Sequence, residues 1–591
     1  MHHLAASRLR LSPFVVLLSL IAVPACFAQS DAGRVASPAD TPTALENPSL
    51  VQQYQATITE SDLAAHLYVF ASDYFEGRET ATRGQKLAAM YLAGQYRKMG
   101  LDAKGNHPGD NAMAPERYFQ PFPLYGRSLK AARLDITAGG RTVANVVFSA
   151  AEQSANAYLA AGNAMAVNGP VIFAGYGIED DALGYNDFKA MEAAGLSVAD
   201  SWLMVLLDEP LVSAEKSLLP TQDGAPSRWT ARGNTKRGNM MRREGGRPRG
   251  VLVVGDLGPN GKPTADQARR AAAALGGVGQ LSLEEQAGGA AAPPYYVISS
   301  ALANQIIAPA GKTVEALKAG IDSSLQPTVF AVPDVMLSSA IEHEAFQTTS
   351  ENVAAFIEGS DPALKDEVVV ISSHYDHVGM NEGGEGDIIF NGADDDGSGT
   401  VAVLEMAEAF KTAQRDGNGP RRSILFLNVS GEEKGLLGSA YYSDSDPLVP
   451  VANTVTNLNI DMIGRYDPTH PSKSKNYVYI IGSNLISQEL HDLNAQVNTA
   501  TGTHLELDER FNSKDDPNQF YRRSDHWNFG KHGVPFIFFF TGTHEDYHGL
   551  EDEAEKIEYE RMARITRLIF ATAWQVANQD ERPAVSGAGF N

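Results

Sequence analysis

The chain has 591 residues, of which 43% are hydrophobic, 8% aromatic and 20% charged. This composition is typical of a globular protein and excludes an intrinsically disordered one. The length predicts two or more domains, because a single hydrophobic core does not grow this large. The formal charge of −24, from 48 basic and 72 acidic residues, makes nucleic acid a poor partner because such a chain repels phosphate groups. Beyond the N-terminus, no apolar run is long enough for a membrane span.

The N-terminus has the three parts of an export signal. Two arginines at positions 8 and 10 precede the apolar run 14–23, and small residues follow up to Ala28. We therefore expect residues 1–28 to be a cleaved signal peptide and the protein to be periplasmic or secreted. The alternative is a lipid anchor at Cys26, the one cysteine of the chain. After cleavage at Ala28 no thiol remains, so any catalysis must use oxygen and nitrogen groups.

Three patterns precede the C-terminal half of the chain. A polar stretch at 29–47, interpreted as a flexible leader, is followed by residues 61–99, whose leucine- and alanine-rich pattern predicts helix. Between about 160 and 337, short apolar runs such as 202–207 are separated by turns rich in glycine, alanine and proline. This spacing predicts a separate small domain rich in strands.

From about residue 352, apolar runs that predict strands alternate with stretches that predict helices. The predicted strands are 367–371, 423–429, 455–460, 477–481 and 534–540, and the predicted helices are 398–410, 486–497 and 554–576. The alternation predicts an α/β fold with a largely parallel sheet. Because strands such as 534–540 are almost continuously apolar, we expect helices to cover both faces of that sheet.

Polar and charged residues recur just after these predicted strands, at the edge where open α/β sheets bind ligands. His374 and Asp376 come after the first strand, and residues two apart share one face of an extended chain. A carboxylate beside an imidazole fixes its tautomer and strengthens the other ring nitrogen as a metal ligand. Taken alone, this His-x-Asp pattern is weak evidence and favours a structural pair over a metal site.

Three consecutive carboxylates stand at Asp394, Asp395 and Asp396. Adjacent carboxylates repel one another unless a cation or a helix N-terminus compensates them. Ser398 is expected to cap the next helix, so both kinds of compensation are available. The alternatives are a solvated acidic turn and a calcium loop, although the spacing does not match the alternating ligands of an EF-hand.

Four further candidates come after three other predicted strands. Glu432 and Glu433 come after 423–429, and adjacent side chains there point in different directions. One of them can therefore bind a metal while the other reaches the water bound to it. Asp461 ends one apolar strand and His548 comes after another. Each of these positions, taken alone, also fits a charged turn or a surface loop.

Together these residues predict a metal centre. Two imidazoles and three carboxylates stand on five separate connections, namely His374, Asp395, Glu433, Asp461 and His548. With one carboxylate bridging, each of two metal ions receives three protein ligands and keeps a position for water. That open arrangement of nitrogen and oxygen ligands is typical of catalytic zinc.

This region resembles the co-catalytic di-zinc aminopeptidases, whose superfamily includes glutamate carboxypeptidase and glutaminyl cyclase. The matching segments are His374-x-Asp376, Gly392-Ala393-x-Asp395-x-x-Ser398-Gly399, Glu432-Glu433, Asp461-Met462 and Tyr547-His548. The resemblance implies a mostly parallel mixed sheet between helices and two bound zinc ions. It also implies specific roles: His374 and Asp461 bind one zinc, Glu433 and His548 the other, Asp395 bridges both, Asp376 orients His374, and Glu432 is the general base.

The segment 160–337 resembles a protease-associated domain inserted as in aminopeptidase Y-like proteins, and we expect it to supply no zinc ligand. The resemblance then makes 48–159 the N-terminal part of the peptidase domain, 338–580 its catalytic part and 581–591 a C-terminal tail. Within the insert, the basic stretch from Arg228 to Arg249 is interpreted as a solvated surface. The alternative is a contact with an acidic substrate or with the cell envelope.

The resemblance implies an exported aminopeptidase that removes N-terminal residues from peptides by metal-assisted hydrolysis. Three alternatives remain. A carboxypeptidase or dipeptidase needs basic residues near the zincs for the terminal carboxylate of its substrate, and no such cluster stands beside the motifs. Glutaminyl cyclases share many of these residues but lack the insert. A non-enzymatic, receptor-like relative is expected to have lost ligands, and all five are present here.

Overall fold

The computed structural model describes a large part of the chain, namely residues 45, 47–148, 156–162, 166–213, 216–221, 224–230, 238–240, 246–255, 281–285, 292–381, 386–471, 475–587 and 589. The predicted signal peptide with Cys26, most of the predicted leader 29–47 and part of the basic stretch 228–249 lie outside these residues. None of the helices in the described ranges has the length and apolar character of a membrane span.

Strands are distributed along the whole described chain. They are β1 (Asp102–Ala103), β2 (Phe119–Ala138), β3 (Arg141–Phe148), β4 (Ala157–Ala161), β5 (Ala166–Ala174), β6 (Glu179–Asp180), β7 (Tyr185–Asn186), β8 (Trp202–Leu206), β9 (Leu211–Ser213), β10 (Lys216–Ser217), β11 (Gly250–Val254), β12 (Tyr295–Ile298), β13 (Val329–Ile357), β14 (Val368–His374), β15 (Ser423–Val429), β16 (Thr454–Ile460), β17 (Tyr477–Ile481), β18 (Glu506–Asp508) and β19 (Phe536–Phe540). Most of them belong to one mixed sheet, and β6–β7 and β9–β10 form two small antiparallel pairs.

Helices flank this sheet. In the described ranges they are α1 (Pro48–Gln55), α2 (Glu60–Phe70), α3 (Arg83–Met99), α4 (Asp187–Ala193), α5 (Ser300–Ile307), α6 (Val314–Ser324), α7 (Gly399–Arg415), α8 (Leu437–Ala440), α9 (Gln488–Ala500), α10 (His526–Gly530) and α11 (Tyr559–Asn578). The largest apolar core contains residues of α1–α3, α7, α9 and α11 packed on one face of the C-terminal half of the sheet. Residues near α8 and α10 pack on the opposite face.

The C-terminal half of the sheet is mostly parallel, which confirms the predicted α/β fold. β14 is parallel to β15 and β16, and β16 is parallel to β19. Every residue of these four strands is buried, as expected for strands covered on both faces. The antiparallel contacts are β17 with β19 and β13 with β15. Four parallel strands therefore end at one shared edge.

The predicted N-terminal helix is interrupted. Helix runs over α2 and α3, but residues between them form a tight turn at Asp73–Arg78 in which Glu76 and Gly77 have positive φ angles of 52° and 65°. A side chain at Gly77 would place its Cβ 2.2 Å from the carbonyl oxygen of Gly379. The helix breaks because the chain must approach the loop after β14 backbone to backbone.

The predicted insert at residues 160–337 has cores of its own. β5, β8, β11 and β12 form a parallel group, and apolar residues pack on both faces of it, such as Trp202 on one face and Leu203 on the other. β13 connects this group to the rest of the sheet, because its first half pairs with β5 and its last residues pair with β15. The described segment contains helices α4–α6 as well as the predicted strands.

Candidate metal centre

The five predicted ligands lie at one edge of the sheet. His374 is the last residue of β14, Asp461 stands directly after β16, and Glu433 stands four residues after β15. His548 lies on the loop beyond β19, and Asp395 enters from the turn Ala393–Ser398 that precedes α7. Because β14, β15, β16 and β19 are parallel, their carboxyl ends bring these side chains together.

The first group of donors is centred on His374. Its Nε2 lies 3.4 Å from Oδ1 of Asp395 and 3.5 Å from Oδ1 of Asp461. All three residues are buried. Three donor atoms of the kinds that zinc prefers therefore face a common point.

The second group shares Asp395 with the first. Nε2 of His548 lies 3.0 Å from Oδ2 of Asp395 and 3.1 Å from Oε1 of Glu433. The two oxygens of Asp395 thus face different groups, one toward His374 and the other toward His548. The structure brings together all five residues that the sequence analysis predicted as ligands.

The donor atoms lack hydrogen bonds to one another, but their spacing is suitable for a bound zinc ion. Nε2 of His374, Oδ2 of Asp395 and Oε1 of Glu433 are buried, and none has a hydrogen-bond partner among the described residues. Buried polar atoms in proteins are almost always satisfied, so such a cluster requires an explanation. In a tetrahedral zinc site with bonds of about 2.0–2.1 Å, neighbouring donors lie about 3.3 Å apart, close to the separations found here.

The pKa values of two predicted ligands, Asp395 and Glu433, are shifted in the opposite direction from the pKa of Glu432, the predicted base. Although burial raises the pKa of Asp395, the imidazoles of His374 and His548 bring it well below its usual range. Burial also raises the pKa of Glu433, but His548 and His377 outweigh it and bring the pKa below its usual range. Desolvation raises the pKa of Glu432 well above its usual range. The two ligands are therefore held as carboxylates, whereas Glu432 has the higher proton affinity.

Asp376 contacts both His374 and Glu432, but not in the way that the resemblance implies. Nδ1 of His374 lies 3.1 Å from the main-chain carbonyl oxygen of Asp376, while the nearer carboxylate oxygen is 3.8 Å away. The Asp376 carboxylate accepts hydrogen bonds from the Thr80 hydroxyl (2.6 Å) and from the Glu432 main-chain N–H (3.3 Å). The backbone of Asp376 thus orients the imidazole, and its side chain positions Glu432.

The three consecutive aspartates have three different environments. Asp395 faces the donor atoms, whereas Asp396 accepts from the N–H groups of Gly399 (2.9 Å) and Met462 (3.1 Å). Oδ1 of Asp394 accepts from the Ser398 hydroxyl at 2.9 Å. The prediction that Ser398 caps the helix is wrong, because its hydroxyl donates to Asp394 and Asp396 accepts the first helical N–H instead.

Three buried residues near the centre were missed by the sequence analysis. The Asp552 carboxylate accepts from the N–H groups of Asp394 and Asp395 at 3.0–3.1 Å, which fixes the turn that carries the shared ligand. Arg78 donates to the carbonyl oxygens of residues 375 (3.0 Å) and 392 (2.8 Å). Nδ1 of His377 lies 3.0 Å from Oε1 of Glu433. Only His377 had a sequence signal, since it stands beside the His-x-Asp motif.

A cleft opens beside the donor atoms. Its lining combines side chains of the donor groups with aromatic and other apolar residues; the lining residues are Asp395, Glu432, Asp461, Met462, Phe520, Arg523, Phe538, Phe540, Thr543, Tyr547 and His548. The ring centroids of Phe520 and Phe540 are 5.0 Å apart, and those of Phe538 and Phe540 are 5.3 Å apart. The cleft can therefore hold an apolar side chain next to a group that contacts the metal centre.

Residues 352–573, which contain all of these donors, match Peptidase family M28. Aminopeptidase YwaD of Bacillus subtilis is 27% identical over 241 residues, which cover 40% of this chain and 46% of that protein. A probable zinc metalloprotease of Pyricularia oryzae is 29% identical over 267 residues, which cover 40% of this chain and 51% of that protein. The chain thus spans about half the length of these curated relatives.

The solved structure of an aminopeptidase from Aneurinibacillus sp. strain AM-1 has the same fold. It aligns with 91% of this chain and 99% of its own, with a TM-score of 0.50 and 15% sequence identity. The likeness extends beyond the region that matches the family, because it includes most of the segment before residue 352.

Proposed function

We propose that this chain, whose residues 352–573 form a peptidase domain of family M28, is an exported zinc aminopeptidase. The observation that carries the proposal is the sharing of Asp395 by two groups of donors, with Glu432 beside them in the same cleft. A single site of three ligands would need no shared carboxylate. Two adjacent sites would share one, and Asp395 would then be a ligand of both ions.

The two donor groups indicate which residues would hold each zinc ion. His374 and Asp461 would hold one zinc, Glu433 and His548 the other, and Asp395 both. Bound zinc supplies Lewis acidity, which polarises the scissile carbonyl and lowers the pKa of a nearby water. The burial of the donors excludes bulk water from all but the cleft side.

In this proposal Glu432 moves the proton. It lines the cleft, it is not a member of either donor group, and its main-chain N–H is held by Asp376. In the proposed reaction, Glu432 takes a proton from the attacking water and returns it to the nitrogen that leaves when the peptide bond breaks. Burial raises the pKa of Glu432, and two bound zinc ions nearby would oppose that rise by favouring the ionised form, which is the form that accepts the proton.

The shape and chemistry of the cleft indicate the substrate class. Part of the cleft lining is apolar and consists of Phe520, Phe538 and Phe540. Because the donor residues line the same cleft, we expect a large apolar residue at the N-terminus of the peptide. We further propose that residues 160–337 form a protease-associated insert that shapes access to this cleft. Export through the predicted signal 1–28 would place the enzyme where peptides are taken up as nutrients or processed.

A second candidate, a dipeptidase, is favoured by Arg523. This exposed residue lines the cleft and packs over the ring of Phe520 at 5.0 Å. Its guanidinium is placed to bind the terminal carboxylate of a short substrate. The sequence analysis found no basic cluster beside the motifs, and this single arginine is the observation that favours the dipeptidase alternative.

One substrate panel tests both candidates. Leucyl dipeptides and tripeptides, their N-acetylated forms and their C-terminal amides would be assayed with purified enzyme, before and after a zinc chelator. An aminopeptidase cleaves the free dipeptides, tripeptides and amides, rejects the acetylated forms, and loses activity with the chelator. A dipeptidase rejects tripeptides and amides, and Arg523→Ala raises its KM for dipeptides. Cleavage of acetylated peptides would contradict the proposal.

A further inference from the structure

His377 has no role in the function proposed above, yet its backbone is fixed beside the donor groups. Its main-chain N–H donates to the carbonyl oxygen of Arg78 at 3.2 Å, and the N–H of Gly379 donates to Gly77 at 3.0 Å. The His377 side chain is fully buried. Two hydrogen-bonded segments from distant parts of the sequence thus fix the position from which its ring projects.

The ring is also confined on its face. Gly392 has a φ angle of 55°, and a Cβ at this position would lie 2.5 Å from Cδ2 of His377. The carbonyl oxygen of Gly392 is held by Arg78 at 2.8 Å. The glycine therefore leaves room for the imidazole.

Neither nitrogen of this ring is satisfied. Both Nδ1 and Nε2 of His377 are buried and lack a hydrogen-bond partner among the described residues. A buried imidazole in this state is costly unless something binds it. Nδ1 lies 3.0 Å from Oε1 of Glu433 and 3.8 Å from Oδ2 of Asp395, the two oxygens that also face His548.

These observations indicate that His377 is a further metal ligand. We propose that His377 binds the metal ion of the Glu433 subsite together with Asp395, Glu433 and His548, an inference that rests on the proposed zinc-dependent function. His377, Asp395 and Glu433 offer three donor atoms within 4.8 Å of one another without any contribution from His548. The side chain of His548 is 22% exposed, whereas that of His377 is fully buried.

The two subsites are therefore unequal. The His374 subsite has three protein donors and keeps a position for substrate or water, as catalytic zinc sites do. The Glu433 subsite has four protein donors, so it would retain its ion when the partly exposed His548 is removed. We expect the Glu433 subsite to bind its ion with the higher affinity of the two.

Zinc content tests this assignment without an activity assay. His548→Ala, His377→Ala and the double variant would be dialysed against a weak chelator, and zinc per chain would be measured beside wild type. We expect each single variant to keep close to two ions with an affinity reduced more than tenfold at one subsite, and the double variant to keep about one. His66→Gln is the control, because its Nε2 contacts Glu405 at 3.4 Å outside the cleft.

A direct count of ligands covers the case in which a variant does not fold. X-ray absorption of the wild-type zinc protein should show three histidines shared between two ions. Two histidines, or a double variant that loses no more zinc than His548→Ala, would overturn the role of His377. A wild-type protein that binds no zinc would instead overturn the proposed function, and with it this inference.

Discussion

Two regions of this protein are built on the same plan, yet among the residues that the structure describes only one of them forms a candidate site. In the peptidase region, by which we mean residues 352–573, the strands β14, β15, β16 and β19 are parallel and fully buried. In the segment before it, β8 lies parallel to both β5 and β11, and both β8 and β11 are buried throughout.

The two regions differ in the residues that stand just after their strands. In the peptidase region these residues are histidines and carboxylates, and their donor atoms converge at distances of 3.0–3.5 Å. Among the described residues of the earlier segment, no group of three metal-binding side chains comes together. Parallel strands supply a shared edge, but only the residues placed at that edge make it a site.

The largest effect should come from the residue that both donor groups share. Asp395→Ala removes an oxygen from each group, so we expect the loss of both zinc ions and a fall in activity of at least about 10⁴-fold. His374→Ala is the matched variant, because it touches one group and should mainly weaken one ion. Metal analysis of both variants checks this prediction, and an Asp395→Ala protein that keeps two ions would contradict it.

The next effect separates two adjacent residues of the same chemical type. Glu432→Gln should keep both ions and the KM but lower kcat about 10²–10⁴-fold, because glutamine cannot accept the proton. Glu433→Gln should weaken zinc binding instead, since Glu433 lies 3.1 Å from His548 in the donor group. Steady-state kinetics with zinc analysis distinguish the two, and near-wild-type turnover in a fully metallated Glu432→Gln protein would mean that the base lies elsewhere.

The smallest effect on catalysis should come from the earlier segment. Leu252 is fully buried in its core, so Leu252→Ala should lower the free energy of unfolding by about 2–5 kcal/mol. Zinc content should stay unchanged, because the variant lies outside the donor groups. Leu252→Met is the control and should cost less than about 1.5 kcal/mol. Denaturant unfolding measures the difference, and a loss of zinc in folded Leu252→Ala would show that the two regions depend on each other.

The fold of the peptidase region could be predicted well because its strands are apolar at nearly every position. β15 and β17 have the predicted bounds, and β16 differs by one residue. The long strand β13 was not predicted. Its exposed and buried residues alternate over much of its length, whereas the predicted strands were identified as continuous apolar runs. Such a strand lies at a boundary between two cores and lacks the continuous apolar run that marks the others.

The candidate site could be predicted only where its residues stand at or just after a strand within a recognisable motif. His374 and Asp461 end strands, and Glu433 comes soon after one, so the parallel sheet explains their convergence. Asp552 and Arg78 act through hydrogen bonds to the backbone of distant loops. No local pattern marks such contacts, because they depend on where the loops come to rest.

The most direct test of the central claim is the zinc content of the purified wild-type protein, measured by mass spectrometry together with its peptidase activity. Two donor groups that share Asp395 predict about two zinc ions per chain. They also predict that a chelator removes both the metal and the activity, and that added zinc restores them. A protein without bound zinc that cleaves peptides at an unchanged rate would contradict the account.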